Sequence, residues 1–572
     1  MTWIDWVVAL GFLGYSIYDV LRKARGNRTL EGYFAGRRSI PWWAAGLSVM
    51  ATQISAITVL GTTGQGHDTG MEFVQIYLAH PFAMVILAIV FVPLYRAAPI
   101  LTAYEFLERR LGRGTRALCS GVFLLSRGLA LGVAIAAPAV ILAVITGLSV
   151  NWTILAVGVL TICYTVFGGV ISVIWMDVKQ MSVLFLGLAL VFGILLVDLL
   201  PTFGTGGLLA VLGAAGKLNA LELEPASTLF TPRTAGAGGA PSFWEDRYNF
   251  WSCMLGGLFL NLAYFGTDHS QVQRILTNHS ADESRKALMV SAFVKVPMQV
   301  VVLAIGVLMY VFFVVKGAPL LFDPGDQIAA RDPAVATRVA ALQERYDAAS
   351  AARRALAERV AAPEQTPAER EAAARQFRAA VAEVDRVRAE ARTVVNGGRP
   401  KSDTNYIYTW FILHHLPPVL LGLVIAAVFA AALSSSDSVL NSLAGAFVVD
   451  FYRPFLAPHA DEAHVMRASR VITVLGGLFA TGSAMVLVDE GSLIEVINLI
   501  GSFVYGSMLG VFLLAAFCPW VGERAAFLGV LGGLATVGVV HLTLRVEFLW
   551  YNVLGCLGVF ATALPLALLR RR

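Results

Sequence analysis

The sequence predicts an all-α polytopic membrane protein with about thirteen transmembrane helices. Composition is the first sign: 57% of the 572 residues are hydrophobic and only 14% are charged, where a soluble globular chain carries about 25% charged residues. Mean hydropathy is +0.70. The second is that apolar residues come in membrane-length runs, about 20 residues for a core of about 30 Å. They fall at 3–21, 41–65, 72–95, 117–147, 150–168, 171–200, 248–267, 287–316, 417–446, 468–488, 491–517, 525–544 and 547–569. The third is charge placement. Lys and Arg gather in alternate loops: Arg22 to Arg38, Arg96 to Arg116, Arg274 to Lys286, Arg453 to Arg470, Arg524 and Arg570 to Arg572. The intervening short loops near 66–71, 147–150 and 489–492 carry neither. By the positive-inside rule the chain sits in the plasma (inner) membrane, with its N-terminus outside and its C-terminus cytoplasmic.

The first segment, Trp3 to Leu21, has no basic residues before it and the run Arg22-Lys23-Ala24-Arg25-Gly26-Asn27-Arg28 after it. That polarity fits an uncleaved helix and not a cleaved signal peptide. The net charge of +5 carries little information beside this placement. Cys119, Cys163, Cys253, Cys518 and Cys556 lie in or beside apolar spans without CxxC spacing. They read as small buried hydrophobes.

The second span is unlike a plain anchor, because its centre reads Ala51-Thr52-Gln53-Ile54-Ser55-Ala56-Ile57-Thr58. Hydroxyls and an amide at mid-depth are tolerated against protein or a watery cavity. An unwound turn there frees carbonyls to hold an ion or a small solute. A packed helix using Ser and Thr for interhelical bonds explains the stretch as well.

Two later spans carry ionisable residues. Arg127 lies about ten residues into its run, roughly 15 Å deep at 1.5 Å per residue. Its acceptor is expected among Asp177, helix-break carbonyls and a solute carboxylate, whose geometry matches the guanidinium fork; snorkelling is the alternative. Asp177 follows Trp175-Met176 near a helix start, where capping competes with a site role. Lys295 reads as a snorkelling residue.

Residues 201–247 are rich in Gly, Pro and Thr and read as an extracytoplasmic loop with little helix. Residues 323–403 are Ala-rich and highly charged. Asp332-Pro333 marks one helix start, and Thr366-Pro367-Ala368-Glu369 is a capping box with Pro at the first helical position. Val339, Leu342, Tyr346, Leu356 and Val360, then Phe377, Val384, Val387, Ala391 and Val394, form two apolar stripes. The segment is expected to be a helical hairpin outside the membrane, away from the permeation path, offering a face to a partner.

The span Gly422 to Ser442 places Ser434, Ser435, Ser436, Asp437, Ser438, Asn441 and Ser442 at membrane depth. An intramembrane Asp is a functional-site hypothesis by default. Hard oxygens of this kind suit an alkali cation.

At this point the chain resembles the sodium/solute symporters, the family of the sodium–glucose, sodium–proline and sodium–sialic acid cotransporters. The resemblance rests on Trp42-Trp43 with the polar break, on Tyr164 to Gly169 followed by Trp175-Met176-Asp177, on Tyr264 to Arg274, and on Ser434 to Ser442 with Val449-Asp450-Phe451-Tyr452. It implies a LeuT-type fold of 5+5 inverted repeats, at 41–200 and 248–517, the second interrupted by 323–403. Residues 1–40 then form a leading helix and basic loop, and 518–572 two trailing helices. It also implies a sodium (Na+) site from the carbonyls of Ala51, Ile54 and Ala431 with the hydroxyls of Ser434 and Ser435. A second cation site of some members matches Asp177, position 437 and Ser438. Here position 437 is Asp437 in place of serine, which leaves the stoichiometry and proton substitution open. Gln53, Ser55, Thr58 and Tyr264 match solute-contact positions, Tyr264 an inner-gate aromatic.

The expected function is therefore sodium-coupled symport of a small polar, carboxylate-bearing solute across the lipid bilayer by alternating access. A neutral sugar or amino acid as solute, or a passive channel or sensor on the same scaffold, are the alternatives. An enzyme is not expected. His67-Asp68 and His414-His415 sit in neither an HExxH nor a Gly-x-Ser-x-Gly setting.

Overall fold

The computed structural model describes residues 1–24, 33–34, 39–97, 100–167, 169–221, 243–245, 248–363, 365–399, 401–488 and 493–569. Most of the basic run at 22–38, the loop residues 222–242, the short loop 489–492 and Arg570 to Arg572 lie outside the described residues. Among the described residues the chain is helical, with one isolated bridge between Ile40 and Asn278.

Helix α1 (Trp3–Ala24) is followed by the broken pair α2 (Trp42–Gln53) and α3 (Ala56–Thr69), then α4 (Glu72–Arg96), α5 (Ala103–Thr146), α6 (Val150–Phe167) and α7 (Val170–Ala214). After the gap come α8 (Ser252–Thr267), α9 (His269–Leu276) and α10 (Ala281–Lys316). The short α11 (Pro324–Ala329), the hairpin α12 (Pro333–Ala361) and α13 (Pro367–Val395), and α14 (Thr404–His415) precede α15 (Leu420–Leu456). Helices α16 (Glu462–Leu487), α17 (Leu493–Phe517), α18 (Glu523–Thr543) and α19 (Leu549–Leu569) complete the chain.

Among the described residues ten helices are long and apolar enough to cross a membrane singly, and the α2/α3 pair, bent by 62°, makes up to eleven. The sequence count of thirteen adds α1, which carries Asp5 and Asp19, and the shorter α8. Asp5 has a structural task. Its carboxylate accepts the amides of Val419 at 2.8 Å and Gly422 at 3.2 Å, so it caps the start of α15 from a neighbouring helix. That satisfies amides which an uncapped helix end leaves open.

Two expectations are corrected. The loop expected from 201 is helical to Ala214: Pro201 and Gly204 (φ 62°) kink α7 without ending it, because one lost bond and one left-handed glycine bend a helix that neighbouring packing still supports. Cys163 is exposed and Cys518 half-buried, so only Cys119, Cys253 and Cys556 are buried hydrophobes; position 163 lies on a helix face turned away from the core. The hairpin packs against the bundle. The Ala361 carbonyl at its tip lies against Gly207 of α7, where an added Cβ would approach it to 3.0 Å. Val360, Ala373 and Phe377 are buried in the main core, while Leu342, Tyr346, Val384, Val387 and Ala391 pack with Leu320 and Leu321.

Candidate functional site

Two helix breaks position the site. At the first, the Ile54 amide still closes on the Met50 carbonyl at 3.0 Å, and the chain then turns extended through Ile54 and Ser55. The Ser55 hydroxyl caps α3 by accepting the Ile57 amide at 3.2 Å. The carbonyls of the last turn of α2 therefore lose their partners four residues on, which is what any helix end does. The polar stretch read from the sequence is thus an unwound turn. The second break lies at Asp268 (φ −75°, ψ 118°) between α8 and α9. Its carboxylate accepts the Ser270 amide at 2.9 Å and the Ser270 hydroxyl at 2.6 Å. Sequence reasoning missed this break, although Thr267-Asp268-His269-Ser270 at the end of an apolar run is an N-cap pattern.

A cavity of about 130 Å³ lies beside the first break and reaches α8 one turn before the second. Gln53, Ser55, Thr58, Arg127 and Tyr264, the five residues expected to meet a solute, all line it. So do four polar residues the sequence reading left out: Tyr77, Asn261, Asn498 and Tyr505. Lys295 lines it as well and is 2% exposed. The snorkelling expected of Lys295 is therefore corrected: its position on α10 is buried and turned to the cavity.

Arg127 has a fourth acceptor that the sequence reading did not name. Its Nε lies 2.7 Å from an Asp268 carboxylate oxygen. Its remaining nitrogens donate to the hydroxyls of Tyr264 at 3.0 Å, Ser270 at 3.2 Å and Tyr505 at 3.3 Å. The guanidinium also stacks 4.8 Å from the centre of the Tyr264 ring. Tyr264 in turn accepts from Gln271 at 2.8 Å.

Next to the first break, α15 packs against both α2 and α3. Ala51, Ile54, Ala431, Ser434 and Ser435 are all buried there. Asp177 accepts the Ser48 hydroxyl at 2.5 Å and the Ser434 hydroxyl at 2.6 Å, so one carboxylate of α7 ties α2 to α15. This is neither a cap nor an interfacial placement. Asp437 and Ser438 are fully buried beside it. Arg274 of α9, also fully buried, sits in the field of Asp177, Asp437 and Asp268. Its side chain donates to the Ser270 carbonyl and to Gln273, at 3.1 and 2.9 Å. Two carboxylates, serine hydroxyls and freed carbonyls are the oxygen donors that hard cations require.

A many-helix membrane bundle with a cavity beside a broken helix, lined in part by polar side chains, is the architecture of a secondary carrier. The chain belongs to the Sodium:solute symporter family, whose sequence model matches residues 33–340 and 393–533. The unmatched interval, 341–392, is most of the hairpin. Among its relatives is the "Sodium/sialic acid symporter NanT" of Aliivibrio fischeri, 24% identical over 562 residues, 97% of this chain and 91% of that protein. The "Sodium/sialic acid symporter SiaT" of Proteus mirabilis is 24% identical over 564 residues, 97% and 93% of the two chains. The fold is that of a solved "Na+-coupled sialic acid symporter" in a "substrate-bound outward-open state", with a TM-score of 0.75, 22% identity, and 99% and 98% of the two chains covered. The protein is accordingly an integral membrane, sodium-coupled solute symporter.

Proposed function

We propose that this symporter imports a small polar, carboxylate-bearing solute by alternating access, with Gln53, Ser55, Thr58, Arg127 and Tyr264 around the solute. Sodium is held by the carbonyls of Ala51, Ile54 and Ala431 and the hydroxyls of Ser434 and Ser435. Asp177, Asp437 and Ser438 form a second cation position. The observation that carries this reading is one cavity beside the first break, which gathers all five solute residues together with the basic side chain of Lys295. The sialic acid named for two relatives is itself a carboxylate-bearing solute.

In this reading the repeats are 41–200 and 248–517, the N-terminus is outside and the C-terminus cytoplasmic. The sodium gradient drives closure because the ion site straddles α2 and α15, while the solute bridges α3, α5 and α8. The two sets of ligands meet at the first break, where Gln53 and Ser55 flank Ile54, so each binding event orders a turn that the other also uses, which is what couples them. The charged outer face of the hairpin is left for a partner.

A neutral solute is the second reading, favoured by the amides of Gln53, Asn261 and Asn498 on the same wall. The test is thermal stabilisation of the purified protein by carboxylates, sugars and amino acids, each in sodium and in potassium. Carboxylates that stabilise only in sodium support the proposal. Sugars or neutral amino acids that do so alone replace it with the second reading.

A further inference from the structure

A second cavity, of about 400 Å³ against about 130 Å³ for the solute cavity, is a groove between α5, α15 and α16. Every residue of its wall is apolar or glycine. Leu443 and Ala444 form a buried floor, while Leu125, Leu475 and Phe479 are exposed at the rim. All three helices are long and apolar enough to span a membrane. The groove therefore opens onto lipid tails and not onto water.

Its breadth does not come from close helix packing. A glycine at a tight crossing leaves no room for a Cβ, as at Gly128, where one would approach the Phe479 ring to 2.7 Å. At Gly121 an added Cβ would meet only the Phe451 ring, at 3.9 Å. At Gly476 it would meet only a Leu440 methyl, at 3.3 Å. Gly121 thus widens the groove without serving helix approach, although glycine inside a helix costs stability. A wall that forgoes its own contacts loses dispersion energy unless another group supplies them. Within the hydrocarbon layer that group is an acyl chain, slim, unbranched and apolar.

The charges at one end of the groove select the lipid. Residues 103–116 and 450–470, the adjoining ends of the three helices, hold seven arginines against five carboxylates, a surplus of two positive charges. Asp450 is already occupied, by Arg116 at 2.6 Å and by the hydroxyls of Thr102 and Ser120 at 2.8 and 2.7 Å. Asp461 accepts the His464 amide at 2.8 Å. Arg453, Arg467 and Arg470 are exposed, and among the described residues no carboxylate lies at ion-pair distance of them. Arg470 and Arg467 stand two and five positions before Ile472 of the groove wall, about 3 and 8 Å along the helix at 1.5 Å per residue. The opposite ends, 137–150, 417–424 and 480–488, carry no Lys or Arg. In the topology proposed above the charged end is cytoplasmic, the side on which basic residues meet anionic lipid. We propose that the groove binds one anionic phospholipid, its acyl chain against Gly121 and Ala444 and its headgroup among Arg453, Arg467 and Arg470. The chain gains packing only, because lipid tails are as apolar as leucine, so the headgroup charge supplies the selectivity. The bound lipid braces α5 against α16 at Gly128, the residue after Arg127.

The test uses the full-length protein in phosphatidylcholine vesicles that carry a trace of phosphatidylglycerol with a photoreactive diazirine in its acyl chain. Illumination should label peptides covering 121–128, 443–447 and 472–479. Added dioleoylphosphatidylglycerol should compete about tenfold better than dioleoylphosphatidylcholine. Gly121→Leu grows a side chain into the groove and should lower this labelling about fivefold, while keeping the rise in melting temperature produced by sodium. Gly121→Ala adds a single methyl and should keep most of the labelling. Arg453→Gln combined with Arg467→Gln and Arg470→Gln should retain labelling and lose the preference for the anionic competitor.

Labelling of the parent spread evenly over its lipid-facing helices overturns the inference, as does equal labelling of the parent and Gly121→Leu. Equal competition by the two lipids overturns the anionic assignment. Should Gly121→Leu lack the sodium response, the pattern of labelling in the parent and its competition decide alone. None of these outcomes depends on which solute is carried.

Discussion

The Arg127 guanidinium meets the Asp268 carboxylate at 2.7 Å, and that contact joins α5 to the extended residue between α8 and α9. Both side chains are buried. Removing one member of a buried pair strands the other and costs about 3–5 kcal/mol, whereas replacing both by apolar residues is often near neutral. Arg127→Met should therefore destabilise the protein by roughly that amount. Arg127→Met with Asp268→Leu should recover most of it, read as melting temperature in detergent. A single variant that melts like the parent but loses all solute protection would make Arg127 a direct solute ligand and not a brace.

Sodium coupling is tested at Ser435, whose hydroxyl reaches only the Ala432 carbonyl, at 3.2 Å, in a helix packed on the first break. Ser435→Ala should raise the half-activating sodium concentration of uptake about tenfold, equivalent to 1.4 kcal/mol, while insertion and solute specificity are unchanged. Uptake by the parent that is as fast in potassium as in sodium would contradict the coupling altogether.

How much of this was readable from the chain depended on whether a residue's role is local. The break at Ile54 and Ser55 was legible because its polar side chains interrupt an apolar run, and the hairpin because Asp332, Thr366 and Glu369 are local caps. The pairing of Arg127 was not. Its partner lies 141 positions away by numbering, on a helix break that reads as the end of the 248–267 span until Asp268 is recognised as the N-cap of a further helix. Lys295 was misread for a related reason. Its depth follows from sequence, but the direction it faces depends on how α10 rotates against its neighbours, and a span apolar almost all round does not record that. The reach of α7 past Pro201 was hidden because proline and glycine usually end a helix, and only tertiary packing shows when they merely kink it.

The root of the hairpin carries a pH dependence. Asp326 in α11 is 4% exposed, and Asn396 donates to one of its carboxylate oxygens at 3.1 Å. Burial, and then the neighbouring Asp323 carboxylate, push it up to about 6. An unfolded aspartate titrates near 3.9. Between these values the folded root binds the proton more tightly than the unfolded chain does, so its stability is highest below about pH 4 and falls as pH rises to 6. Hydrogen exchange over 320–330 should quicken across that window and level off above it. Asp326→Asn should flatten the profile. A parent profile already flat between pH 4 and 7 would remove Asp326 from the account.

The hairpin is tied to the first broken helix, and deleting it should be felt there. Asp403, 1% exposed, accepts from Arg388 at 2.8 Å and Arg392 at 2.6 Å, both on α13. Burial alone would raise the Asp403 carboxyl, but the two guanidinium groups hold it below its ordinary value. The next residue, Thr404, donates to the Asp68 carboxylate at 2.6 Å at the far end of α3. Lys217, just past α7, donates to the Asp68 carbonyl at 2.6 Å. The chain of contacts therefore runs from the hairpin through Asp403 and α14 to the helix that forms half of the first break. Deleting Pro324 to Gly398 strands a buried carboxylate, so it should lower the melting temperature, and local unfolding of α14 should follow. Arg388→Met isolates the effect, because it leaves the hairpin in place and removes one of the two cations. It should cost about 3 kcal/mol of local stability, read as faster protease cleavage or hydrogen exchange at 400–415. If the tie also sets the α3 position, the same variant shifts half-saturation for solute, with the sodium requirement unchanged. A deletion variant that melts and transports like the parent would show that Asp403 finds other partners and that the hairpin is a passive insertion.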